Sequence, residues 1–575
     1  MTPPRRRLAA IRACDPCRRR KVKCDALEIC ANCRTSGLAC HYTTLPKKRG
    51  PKSAQRPSSE RWNAAPVLDN NLLDSLWGNP SPAGNTAISP PGEQGDMPLS
   101  QLAGIEETSA ALSAQNIRDR LLRSMSSVAP SSVPLNIVDR CIHLYMQYTF
   151  PTAPIVHEPT LREYATTFFS GASTRLFAAL TTEEEVAHMR AFALLSGLCA
   201  SVASVIPISL LPYRHLIAKP CLDASREMLR LFEDYDVENP NSSSIVTRIF
   251  HTTALQNITG KTRLTYHILG QAALFITNMR LYREDVLQSH DPLEGQLLRH
   301  IYWQIYAADQ ASLCLRSRPF HLHQLLYNEE STICPPGRKP VVPQFDTTTG
   351  WYDVVFEERM LLSFHLIPRL WSTAAALVSD MRKCKREVSD AEKSRFSQAY
   401  MEFLGIMDDL PYWLQASHLI FSPNDGDAVQ FHKTAFWVQR CTIQVSFQCL
   451  RLVILQQCIG SELCDIMGLN NQPVTFQMTK IGMIQDVVQT LDDIPFVFLL
   501  VKGEPTVERI RLVGSILLEV LDQVEDGHIR VRANHLFTRL LDILSRFDSK
   551  SSDVLVEMRQ LGEKTAESRR DETPK

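Results

Sequence analysis

Glycine is sparse beyond about residue 111 of this 575-residue sequence, and nothing there alternates apolar and polar residues for long enough to make a half-buried strand. These two absences argue against a sheet-built body. No segment repeats at a fixed period, which argues against a solenoid or propeller. The opening Met1-Thr2-Pro3-Pro4-Arg5-Arg6-Arg7 is followed by charged and cysteine-rich sequence rather than by an apolar stretch, so no secretory signal and a reducing intracellular compartment are expected. One window, Ala191 to Tyr213, is free of charge over the length of a membrane span. Ser196, Gly197, Ser201, Ser204, Pro207 and Ser209 dilute it, so a buried helix pair broken at Pro207 is expected and no membrane partner. Hydrolase signatures are missing too: there is no G-x-S-x-G and no H-E-x-x-H. Gly260-Lys261-Thr262 has the end of a phosphate loop but Leu255 where the loop needs its earlier glycine. No constellation nominates a catalytic residue, and a non-enzyme is expected.

Net charge is also absent, since 62 Lys and Arg balance 62 Asp and Glu, but the balance hides an asymmetry. Residues 1–56 carry 15 basic side chains against Asp15, Asp25 and Glu28, a net +12, and the remainder carries −12. A basic head on an acidic body points to a polyanion-binding module at the N-terminus.

Six of the 16 cysteines fall in that head: Cys14, Cys17, Cys24, Cys30, Cys33 and Cys40, spaced C-x2-C-x6-C-x5-C-x2-C-x6-C. The recurring x2 and x6 gaps make two half-motifs of three thiolates each. Zinc takes four tetrahedral ligands, so six sulfurs overfill one ion and serve two only if two sulfurs bridge. The compact solution is a binuclear cluster; separate mononuclear sites, or a structural zinc site with no nucleic-acid role, are the other readings. Each half also supports a short helix, one over Pro16–Lys23 capped by Asp15 and one begun near Ala31 and ended at Gly37. Some 30 residues cannot bury enough apolar surface to fold alone, so metal binding would supply the folding free energy. Arg18, Arg19, Arg20, Lys21 and Lys23 between the second and third cysteines favour a nucleic-acid role.

The pattern C-x2-C-R-x2-K-x-K-C, met by Cys14, Cys17, Arg18, Lys21, Lys23 and Cys24, resembles that of the fungal Zn2Cys6 zinc-cluster transcription factors. The resemblance implies two zinc ions per chain, with Cys14 and Cys30 bridging, Cys17 and Cys24 completing one site, and Cys33 and Cys40 the other. It implies double-stranded DNA with CGG-type half-sites as partner, Lys21 as the base-reading residue, and Arg18, Arg20 and Lys23 on phosphates. Glu28 stands where many members have proline, so the loop between the halves is shaped differently. A second, more diffuse likeness covers about residues 135–330: Ile142 to Tyr148, Pro151, Pro154 to His157, Pro159, His267 to Ala272, Leu281 to Glu284, Arg299 to Trp303 and Asp309 to Pro319 resemble the fungal-specific transcription factor middle homology region.

After the cluster come the basic Lys47-Lys48-Arg49-Gly50-Pro51-Lys52, another candidate DNA contact and nuclear import signal, and then a stretch with Pro57, Pro66, Pro80, Pro82, Pro90, Pro91 and Pro98 that reads as a disordered linker. Within it, Val67 to Trp77 interleaves acids with bulky apolar residues. Two readings stand for this segment: an activation segment that folds on a transcription coactivator, or a helical element that docks on the body. Helical periodicity follows. Ile137, Val138, Cys141, Ile142, Tyr145 and Tyr148 share one face, as do Leu297, Leu298, Ile301, Ile305, Ala308, Ser312 and Leu315. Further helices are expected at about 355–383, 391–418, 428–467, 475–500, 505–523 and 530–547. Asp408 to Leu414 reads as core, and His321, His323, Cys314 and Cys334 fit no zinc spacing. Relatives dimerise through a coiled coil after the linker, yet Leu102, Ile105, Leu112, Ile117 and Leu121 keep no heptad register, so a homodimer is implied by the resemblance alone.

The expected architecture is a small metal-stabilised Zn2Cys6 module plus a large all-α helical domain joined by a disordered linker. Its parts are 1–45 (DNA binding), 46–110 (linker), 111–330 (middle homology region), 331–550 (C-terminal part of the same body) and 551–575 (charged tail). The expected function is a nuclear, sequence-specific regulator of RNA polymerase II genes, an activator of one pathway or gene cluster. The alternative is a helical ligand-binding or scaffold protein that uses the zinc cluster only as an anchor.

Overall fold

The computed structural model describes residues 14–20, 24–25, 27, 29–36, 39–41, 99–128, 133–170, 176–177, 182–316, 318–319, 321–322, 353–384, 388–470, 472–524 and 526–547. The chain divides into two compact units, Met1–Gln94 and Gly95–Lys575. The described part of the first contains two short helices, α1 (Asp15–Arg20) and α2 (Ala31–Thr35). The second is helical and holds no strand among the described residues. Its first half comprises α3 (Leu99–Val128), α4 (Pro134–Tyr148), α5 (Glu158–Phe169), α6 (Thr182–Val205), α7 (Arg214–Arg230), α8 (Glu233–Glu238), α9 (Ser242–Thr259), α10 (Thr262–Asn278), α11 (Glu284–Ser289) and α12 (Pro292–Arg316). Its second half comprises α13 (Val354–Lys383), α14 (Asp390–Asp408), α15 (Asp427–Gly460), α16 (Pro473–Asp493), α17 (Phe496–Leu500), α18 (Glu504–Gln523) and α19 (Gly527–Ser545).

One hydrophobic core runs from Ala114 on α3 to Phe547 beyond α19. The α4 face read from periodicity is buried throughout. On α12 the second face behaves differently: Leu297, Leu298 and Ile301 are buried, while Ala308, Ser312 and Leu315 remain partly open and line a cavity. Prolines set the helix boundaries that periodicity misses. The stretch expected at 475–500 breaks at Ile494, which Pro495 holds extended at φ −87°, ψ 126°. The stretch expected at 391–418 stops at Asp408, and short 3-10 turns at Tyr412–Leu414 and Ala416–His418 follow Pro411. Leu414 is buried and the Trp413 indole donates to Ser363 Oγ at 3.0 Å, so this acidic–aromatic segment is packing. Gly260 ends α9 in the left-handed conformation, φ 63°, which explains a glycine there without any phosphate.

Two helices, Glu183–Val205 and Val354–Lys383, are long and apolar enough to cross a membrane, and the second escaped the sequence reading. Their apolar surface is spent on the core, with 83% and 61% of the respective windows buried. Gly197 lets α6 approach its neighbours: a Cβ there would stand 3.1 Å from Ser225 Oγ. That hydroxyl donates to the Ala193 carbonyl at 2.5 Å and accepts from His251 Nε2 at 2.7 Å, tying α6, α7 and α9 together.

His300 is a second buried tie, its Nδ1 donating to the Pro154 carbonyl at 2.7 Å and its Nε2 accepting from the Gln296 amide at 2.7 Å. Burial, helped by Arg226, Arg248 and Arg230, pulls His251 down to about 3, and burial pulls His300 to about 4 against the opposing hydrogen bond to Pro154. Unfolding restores an ordinary imidazole near 6.5, so between that value and about 4 the unfolded chain binds more protons and stability falls as pH falls. At ~1.4 kcal/mol per unit the two histidines together account for several kcal/mol. Denaturant titrations from pH 7 to pH 4.5 are expected to show this loss, and His300→Gln to flatten it. A slope unchanged in the variant would refute the assignment.

Candidate metal centre and nucleic-acid interface

The zinc-ligand candidates come together because the half-motifs fold alike. In each half the first cysteine leads into a helix carrying the second: Cys14 precedes α1 with Cys17, and Cys30 precedes α2 with Cys33. The Cys30 thiol caps α2 by accepting from the Cys33 amide at 3.4 Å, while Asp15 lies within the first turn of α1 rather than capping it. The third cysteine closes each half in the same way. Cys24 Sγ accepts from the Cys14 amide at 3.5 Å, and Cys40 Sγ accepts from the Cys30 amide at 3.4 Å. The halves are stitched by the Asp15 amide on the His41 carbonyl, 2.9 Å, and by Asp25, whose carboxylate accepts from the Ala31 amide at 3.0 Å. Asp25 and His41 went unnoticed in the sequence; an acid six residues before a helix start was the available signal for the first.

Two four-sulfur groups result, Cys14, Cys17, Cys24, Cys30 and Cys14, Cys30, Cys33, Cys40, and Cys14 and Cys30 belong to both. A tetrahedron with ~2.3 Å Zn–S bonds has edges of about 3.8 Å. The separations Cys14–Cys30 and Cys14–Cys33, both 3.6 Å, Cys17–Cys30, 3.5 Å, and Cys24–Cys14, 3.8 Å, fall close to that edge. The donor set therefore fits two zinc ions. Burial pushes the thiols of Cys14, Cys17 and Cys33 up, Cys33 to about 12. Burial acts on Cys30 too, but hydrogen bonds to its sulfur from the Cys33 amide and the neighbouring thiols outweigh it and hold it at about 6. Zinc takes thiolates, so binding releases the protons that the raised thiols carry.

A family model for the fungal Zn(2)-Cys(6) binuclear cluster domain matches residues 12–49. Residues 12–49 are a zinc-cluster domain of that type. The domain binds two zinc ions. Similar chains include the glucose transport transcription regulators of Saccharomyces cerevisiae, 36% identical over 70 residues (12% of this chain, 6% of the relative), and of Kluyveromyces lactis, 38% identical over 68 residues (10% and 7%). The maltose fermentation regulatory protein of S. cerevisiae is 46% identical over 52 residues (9% and 11%). The chain thus covers about a tenth or less of each relative's length, and the likeness is confined to one small part.

Of the DNA-contact candidates, Arg18 and Arg20 lie on α1, directly after Cys17. Lys21, Lys23, Lys47, Lys48 and Arg49 lie outside the described residues, as do Glu28, the segment Val67 to Trp77, His323 and Cys334. Cys314 is buried, and His321 turns to Asp309, whose carboxylate accepts from the His321 and Leu322 amides at 3.0 Å and faces His321 Nδ1 at 3.0 Å.

Proposed function

We propose that this protein is a nuclear, sequence-specific DNA-binding regulator of transcription, not an enzyme, which docks its zinc-cluster domain on CGG-type half-sites. The observation that carries this reading is the pair of four-sulfur groups sharing Cys14 and Cys30, with α1 emerging from it as a run of arginines. In this reading Cys14 and Cys30 would each serve both metals. Cys17 and Cys24 complete one site, and Cys33 and Cys40 the other. The metals fix where α1 points; the chain's own side chains make the contacts, with Lys21 on guanine edges and Arg18, Arg20, Lys23, Lys47, Lys48 and Arg49 on phosphates or as the import signal. The helical body, as the middle homology region and its C-terminal continuation, regulates output, and coactivators and a second copy of the chain are the further partners. The regulators to which the chain is similar over 52 to 70 residues support a role in transcription.

The test separates base reading from phosphate binding. Lys21→Ala is expected to lower the preference for a CGG site over a scrambled triplet by about 1–3 kcal/mol. Arg20→Ala is expected to weaken both sequences alike and to lower the salt slope by about 1. Equal losses on both sequences for Lys21→Ala would overturn the assignment.

A further inference from the structure

The helical body holds an open cavity of about 350 Å³ among α4, α9, α12, α13 and α18. At about 30 Å³ per water it has the volume of about a dozen waters, room for a compact organic molecule. Much of its wall is apolar and aromatic, with Phe250, Phe364 and Trp371 in it. The charges in that wall do not balance. Its acid, Glu508, is engaged through both carboxylate oxygens by Arg316. That leaves two cations, Lys502 and Arg509. The Lys502 ammonium donates to Thr152 Oγ1 at 2.7 Å. The Arg509 guanidinium lies over the Trp371 ring at 5.3 Å, and its Nε has no hydrogen-bond partner. Burial pulls Lys502 down to about 7 and lowers Arg509 as well; Glu508, already held by Arg316, offsets only part of the penalty on Arg509, and no carboxylate is among the groups that act on Lys502.

We propose that this cavity binds a small organic carboxylate, its anionic head taken by Arg509 and Lys502 and its apolar body seated against Phe250, Phe364 and Trp371. A guanidinium fork matches a carboxylate in two parallel hydrogen bonds, and the ammonium adds a point charge beside it. The apolar wall is what selects an organic acid over an inorganic anion. The site lies wholly within the second unit and does not depend on the reading of the zinc-cluster domain.

The full-length protein is titrated by calorimetry, without DNA, with 3-phenylpropionate, with its neutral amide and with inorganic phosphate. The acid is expected to bind below about 1 mM and to quench tryptophan fluorescence. The amide and phosphate are expected to bind at least about tenfold more weakly. Arg509→Gln and Lys502→Met are each expected to weaken the acid about tenfold or more, and Lys502→Met to raise the ligand-free melting temperature, because it removes a desolvated cation on which no carboxylate acts. Failure of the acid to bind, equal binding of amide or phosphate, or a lower ligand-free melting temperature in Lys502→Met would each overturn the proposal.

Discussion

Serine at Cys14 or at Cys30 is expected to empty both metal sites, whereas serine at Cys17 leaves one largely intact. Each of the first two sulfurs belongs to both four-sulfur groups, while Cys17 belongs to one. Structural zinc contributes on the order of 10 kcal/mol or more to modules of this size, far more than so small a core can supply, so losing both ions unfolds the domain. Zinc released to a chromogenic chelator from fragment 1–60 is expected at about two per chain for the native sequence, about one for Cys17→Ser and near zero for Cys14→Ser or Cys30→Ser. Specific DNA binding is expected to fall at least about 100-fold in the last two, to the non-specific level. One zinc per chain in the native fragment, or equal loss in all three variants, would end the shared-ligand description.

The second large effect lies in the body. Asp236 on α8 is fully buried and accepts four hydrogen bonds: two from Arg190 of α6, at 3.0 and 2.8 Å, one from Ser244 of α9 at 2.6 Å and one from Arg248 of α9 at 2.7 Å. Arg248 is itself 2% exposed and packs over the Phe275 ring at 4.5 Å. Asp236→Ala strands that guanidinium in the core, a change that costs about 3–5 kcal/mol. The midpoint of urea unfolding should drop accordingly. Asp236→Leu combined with Arg248→Met is expected to restore much of the loss, since the penalty comes from the orphaned charge rather than from the absent bridge. A single variant within about 1 kcal/mol of the native protein would show that water reaches the site.

Where a physical signal is local, the sequence carried it. The cysteine spacing announced the metal centre, because two half-motifs that repeat the same x2 and x6 gaps each present three thiolates to one place. The 3.6-residue periodicity announced α4, whose apolar face is buried, and α12, which also buries Arg299, His300 and Asp309. What escaped depends on distant partners. Nothing near Lys502 or Arg509 marks them as cavity cations, since their surroundings come from α4, α9, α12 and α13. The hub at Asp236 was equally invisible, because Arg190 lies 46 residues away from it. Helix ends were misjudged where a proline overrode an apolar pattern, as at Pro495 and Pro411.

One long-range contact governs how the body comes into being. The Gln439 amide on α15 donates to the Pro151 carbonyl at 2.6 Å and to the Met360 carbonyl at 2.8 Å, the first across 288 residues. At about 5–20 residues per second a ribosome delivers Gln439 roughly 15–60 s after Pro151. Throughout that interval the part of α4 against which α15 packs has been synthesised but α15 has not. A message truncated before α15 is therefore expected to yield aggregate rather than a smaller folded body.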